Sequence, residues 1–211
     1  MKSLMISIAI LFCLLSMAND AMSGPADITA AAKAGLPTFL ARIPAGSMQE
    51  YGFNNNDSLD KACLGDPFNL HVITPDALFS YSEGVPVASI LTVIDQWYFP
   101  VMIQDQIRCF LIVDRMEGKW EAVSLGYAAL AKFMNQVETE YPAEKGFSPT
   151  LIAVFQAKTY LVMIPESGNI LLQLPPTMTA SASGKTVPGS GQIADILESL
   201  KPTVVEAIKQ Q

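Results

Sequence analysis

Histidine is almost missing from this chain: His71 is the only one in 211 residues. Its scarcity excludes a histidine-based metal cluster by count. It also means that any Ser–His or Cys–His catalytic pair must use this one imidazole. A lone His opening a short β-rich run suits a structural place better than a catalytic one. Basic residues are also sparse, 13 Lys and Arg against 20 Asp and Glu, for a net charge of −7. No Lys/Arg cluster offsets the acidity, so nucleic acid and anionic lipid, which need phosphates neutralised, are disfavoured partners. Charged residues make up only 16% of the chain while half is apolar, which argues for a globular fold over disorder.

Several chemical signatures are present only as fragments. Gly184-Lys185-Thr186 resembles the end of a phosphate-binding loop, but Thr179 stands where the first glycine belongs. The run Asn54-Asn55-Asn56-Asp57 is rich in oxygen ligands, yet the Gly and Glu spacing of a calcium-binding EF-hand is absent. Ser58-Leu59-Asp60-Lys61 fits S-x-x-K, a pattern short enough to arise by chance, and its usual companion motifs are lacking. Two acidic pairs, Asp57 with Asp60 and Glu138 with Glu140, are candidates for acid–base work. Each also has an ordinary account as a helix cap or a solvated helix end. No metal and no cofactor are expected.

The first 18 residues read as a bacterial secretory leader. Lys2 supplies the positive start, residues 4–17 form an apolar run, and Ser16 and Ala18 place small side chains before a cut. The run is shorter than the roughly 20 residues a spanning helix needs, so no stable membrane insertion is expected after cleavage. The expected location is the periplasm or the medium. Cys13 falls in the leader, which leaves Cys63 and Cys109, and an even pair in an exported chain predicts one disulfide.

Residues 19–211 read as one α+β domain. Residues 26–43 predict two short helices, with Asp27 capping the first, Gly35 ending it and Pro37 opening the second. Asp57 is expected to cap a further short helix at 58–64, closed by Gly65. From His71 the pattern changes to strands. Alternation puts Trp97, Phe99, Val101 and Ile103 on one face, and residues 107–113, apolar on both sides, predict a central strand. Glu117-Gly118 makes a tight hairpin turn into a third strand bearing Trp120. Helical spacing then brings Leu130, Phe133, Met134 and Val137 onto one stripe. A similar order recurs at 148–174, followed by a last helix in which Pro202 marks a kink or a restart.

The expectation is therefore a mainly antiparallel sheet of about six to eight strands, for which two βββα units in tandem are one arrangement, the side-chain identity between them being thin. Helices pack on it, a helical lead-in precedes it, and residues 175–191 form a flexible loop. The function it points to is an exported, non-catalytic binding module for a small ligand, a glycan or an envelope protein. Trp97, Tyr98 and Trp120 are its candidate ligand-binding residues. The alternatives are a small hydrolase using His71 or a carboxylate pair, and an inhibitor or assembly factor for an envelope protein.

Overall fold

A computed structural model describes residues 25–44, 46–174, 189–191 and 193–210. Residues 1–18, read as a leader, and residues 175–188 of the expected loop lie outside them. Helix α1 (Ala26–Ala41) leads into a sheet built from β1 (Cys63–Leu64), β2 (Phe68–Val72), β3 (Thr92–Ile103), β4 (Gln106–Met116) and β5 (Lys119–Gly126). A short α2 (Pro75–Ser80) stands between β2 and β3. After α3 (Ala128–Glu140) come β6 (Thr150–Val154), β7 (Thr159–Ile164), β8 (Ile170–Gln173), β9 (Gly189–Gly191) and α4 (Ile193–Lys209).

All nine strands join one sheet in the order β5-β4-β3-β2-β6-β7-β8-β9, with β1 continuing the line of β2 along β3. Every pairing is antiparallel except β2 with β6. The expected order of three strands and a helix appears as β3–β5 with α3, and again as β6–β8, extended by β9, with α4. Gly189–Gly191 belongs to the sheet, which corrects the C-terminal edge of the expected loop.

The sheet is covered on both faces. On one, the stripe Leu130, Phe133, Met134 and Val137 of α3 packs on Leu70, Phe110, Leu151 and Val162. On the other, α1 covers Phe99, Val101, Leu111 and Val113, while α4 and α2 cover Ile152, Val154, Leu161 and Leu171. Strand β4 is central and apolar on both sides, as its sequence predicts. One detail of its alternation differs. The ladder slips between Val101 and Met102, so Cys109 opposes Val101 and Ile107 opposes Met102, leaving Arg108 as the extra residue of a bulge. Ile107 therefore joins the α3 side instead of sharing a face with Cys109.

Other local expectations are corrected as well. Residues 26–41 form one helix, not two, because Ile28, Ala32 and Leu36 continue as a single buried stripe into Phe39 and Leu40. That burial outweighs the cost of about 3 kcal/mol for Pro37 inside the helix. Asp27 lies in the first turn of α1, whose cap position is Pro25. Residues 58–64 are a 3-10 turn (Leu59–Lys61) followed by β1, and Asp57 is committed to Arg108 instead of capping. Strand β3 enters the sheet at Thr92, after the 3-10 turn Val87–Ile90, and runs unbroken for twelve residues. Its Pro100 is tolerated because the N–H it lacks falls on the side where β1 and β2 are interrupted; its carbonyl accepts there from the Gly65 N–H at 2.8 Å. Helix α4 runs through Pro202 without restarting.

The predicted disulfide is absent. Cys63 pairs with Met102 on one side of β3, and Cys109 pairs with Val101 on the other. Two strand spacings separate their backbones by about 9.5 Å, beyond the roughly 7 Å a disulfide can bridge. Cys63 is exposed, whereas Cys109 is buried and burial pushes its thiol up to about 12. Iodoacetamide should therefore modify Cys63 in the native protein without prior reduction, and Cys109 only after unfolding. Peptide mapping reads both sites, and a non-reduced, unfolded chain in which neither site is modified would restore the disulfide.

Candidate functional site

The two parallel strands β2 and β6 begin at the same end of the sheet, and the segments feeding them arrive from different directions. Asp66 and Pro67 link β1 to β2, while α3 ends at Glu140 and hands over to 141–149 before β6. Between these segments opens a cleft of about 560 Å³, lined by Asp66, Pro67, Phe68, Pro100, Met102, Glu138 and residues 141–144 and 147–149. Its size is that of a small-ligand pocket.

Each wall has a local cause. The Tyr141 N–H still donates to the Val137 carbonyl at 2.7 Å, and Pro142 then turns the chain out of the helix. The 3-10 turn Ala143–Lys145 closes on Gly146, whose φ of 86° is the left-handed region that favours glycine. Phe147 returns edge-on to Tyr141, ring centroids 5.4 Å apart at 89°. Across the cleft Phe68 packs edge-on to Phe110 at 6.3 Å, tying that wall to the core.

Glu138 is the polar centre of this lining. It sits on α3 within a turn of Tyr141, half-buried, and its carboxyl is raised above the usual glutamate range by burial first and by the neighbouring Glu144 second. Among the described residues neither carboxylate has an ion-pair partner. The sequence pairs Glu138 with Glu140, but residues two apart on a helix do not face each other. Glu140 is exposed, and the partner is Glu144 from the following turn.

The other sequence candidates lie elsewhere. His71 is on β2, its Nδ1 3.2 Å from the Asn69 carbonyl, opposite Val93 of β3 and Ile152 of β6. Cys63 lies nine residues further along β3, about 30 Å away. A Cys63–His71 pair is not formed. Asp57 and Asp60 do not act as a pair either, since Asp57 is salt-bridged to Arg108 at 2.8 Å.

The three aromatic candidates divide between the two faces. Tyr98 is 1% exposed on the α3 face, its hydroxyl 2.9 Å from that of Tyr160. Tyr127, 42% exposed, completes a cluster of three rings, with centroids 5.6 Å from Tyr98 and 6.1 Å from Tyr160. Burial raises Tyr98 well above the ordinary phenol range and Tyr160 to about 12, so both stay neutral. Trp97 and Trp120 are half-buried on the α1 face. Trp120 lines a shallow groove of about 330 Å³ with Phe39 and Arg42, and the Arg115 guanidinium lies 5.9 Å over its ring.

The sequence reading missed Asp66, Phe68, Tyr141, Glu144 and Phe147 as a group. One signal was present: Pro142 and Pro149 bracket a short polar and aromatic segment between a helix and a strand. No family model, curated protein or solved structure matches the chain.

Proposed function

We propose that this chain is an exported, non-catalytic binding module of the bacterial envelope, and that it holds its ligand in the cleft beyond the C-terminal end of α3. One observation carries the reading. A half-buried carboxyl group faces a second carboxylate, with no cation opposite among the described residues, inside a cavity walled by aromatic rings and prolines. Such an arrangement costs stability in the empty protein, and a concave apolar site with a few convergent, perturbed polar groups is what ligand recognition requires. The leader-like pattern of residues 1–18, Lys2 before an apolar run and small residues at Ser16 and Ala18, supports export.

Native mass spectrometry of protein incubated with an extract of its own envelope tests this. The wild type should carry a ligand mass, and Ala143→Trp, which fills the cleft from its exposed rim, should carry less than about a tenth as much. A bare wild type, or equal loading of the variant, sinks the reading. The same spectra show whether the chain starts at Asn19.

A second reading draws on the same weakened acidity of Glu138, which keeps its proton to higher pH than an ordinary glutamate. Glu138 as proton donor and Glu144 as base would make the cleft hydrolytic. It predicts turnover of aryl glycosides or esters that Glu138→Gln abolishes, whereas the binding reading predicts none.

A further inference from the structure

We infer that the cleft is shaped for an organic cation, an ammonium or guanidinium on an apolar body, whose charge rests against Glu138 and Glu144. This rests on the cleft being the ligand site. The ionisable side chains of the lining are Asp66, Glu138, Glu144 and Tyr141; no Lys, Arg or His joins them. Among the described residues none of the three carboxylates is paired with a cation. A positive group set between Glu138 and Glu144 removes their repulsion and part of the cost of burial.

A bare metal ion fits the lining less well. Among the described residues no group of three His, Cys, Asp or Glu is placed to hold one, and hard cations take six or more oxygen ligands or retain their water. Apart from Ser148 and the Tyr141 hydroxyl, the remaining lining is apolar: Met102, Ala143, the rings of Phe68, Tyr141 and Phe147, and the faces of four prolines. Such surfaces cover methylenes or an aryl group and attract a cation through the ring faces.

Charge makes the site sensitive to protons. Glu144 from the 143–145 turn acts on Glu138 directly, and the other titratable groups lining the same cleft are Tyr141, just past the end of α3, and Asp66 from the β1–β2 link, none of them positive. A bound cation favours the ionised carboxylate, so affinity is highest above the raised Glu138 value and falls as pH drops through it. For the empty protein the sign is opposite. The folded chain holds this proton more tightly than the unfolded chain, so Glu138 contributes most stability below the ordinary glutamate value and loses it as pH rises through the raised one.

The test uses phenethylammonium, its uncharged analogue 2-phenylethanol and the anion 3-phenylpropionate, titrated into the mature chain by calorimetry and NMR. Phenethylammonium should shift the resonances of Glu138, Tyr141 and Phe147 at neutral pH, with the other two at least roughly ten-fold weaker. Its affinity should fall towards pH about 4.5. Glu138→Gln should weaken phenethylammonium about ten-fold and flatten the pH dependence. The same variant should melt higher than wild type at neutral pH but not at low pH, a gain that a supporting role in the fold would not produce. If 2-phenylethanol or 3-phenylpropionate binds in the cleft as tightly as the amine, or if Glu138→Gln leaves its affinity intact, the cation inference falls and the cleft stands as a ligand site. If millimolar phenethylammonium, 2-phenylethanol and 3-phenylpropionate all leave the cleft resonances unmoved, both readings fall.

Discussion

Replacing Asp57 with alanine will cost the fold about 3–5 kcal/mol, a drop in Tm of about 6–20 °C for a domain of this size. Asp57 is 6% and Arg108 13% exposed, and the carboxylate accepts from Arg108 Nε at 2.8 Å and Nη2 at 3.2 Å. It also accepts the Asn54 N–H at 2.7 Å, which fixes the 48–57 loop over the bulge. Alanine leaves a nearly buried guanidinium without its counter-charge, and that unpaired ion, not the lost attraction alone, sets the size of the effect. The double variant Asp57→Leu with Arg108→Met removes both charges and keeps most of the volume, so it should recover most of the loss. Chemical denaturation of the wild type, Asp57→Ala, Asp57→Leu, Arg108→Met and the double variant measures this. A single-variant cost below about 1 kcal/mol, the range of an exposed pair, would show that the pair is solvated and the bulge not held by it.

Patterns that repeat over a few residues were legible before any coordinates. The alternation of β4 from Cys109 onward, the Glu117-Gly118 turn with both residues at positive φ, and the buried stripe of α3 all follow from periods of two or 3.6. What escaped depends on which distant segments meet. Asp57 reads locally as a cap, yet a partner 51 residues away outcompetes that role. Two cysteines read as a bridge, yet a strand stands between them. The site shows the same division: Glu138 was visible as an acid on a helix, but its true neighbour comes from the turn beyond the helix end. Its walls come from a link that only the parallel β2–β6 junction brings alongside.

That junction also explains why the cleft is where it is. Within each half of the sheet the strands from β2 to β5 and from β6 to β9 follow one another by antiparallel neighbours, so the connections between them stay local. At β2 and β6 the halves meet in parallel, and α3 with its exit segment must cross the sheet to make the join. The ends of such a crossing cannot pair with the segment arriving at β2, and a gap remains between them. The fold therefore confines the cleft to one end of the sheet while both faces stay closed by helices.

Gly35→Ala will destabilise the protein by about 1–3 kcal/mol, although the same change in an exposed helix interior stabilises by about 1 kcal/mol. Gly35 lies where α1 crosses β5, and a Cβ there would stand 2.2 Å from the Cβ of Ala122. Real atoms do not approach so closely, so α1 must lift from the sheet and loosen Ile28, Ala32 and Leu36 from the core beneath. This is why Gly35 does not end the helix: its missing side chain lets the helix continue across the strand. Ala122→Gly opens the same space from the other side at a cost of roughly 1 kcal/mol, typical of glycine in a strand. In that background Gly35→Ala should change sign and become neutral or stabilising, because the overlap is gone and the helix propensity of alanine is left. The coupling between the two sites should therefore exceed about 1.5 kcal/mol in a double-mutant cycle read by denaturant melts. Additive effects would mean that α1 does not rest on β5 at this point, and the packing of the lead-in helix would have to be redrawn.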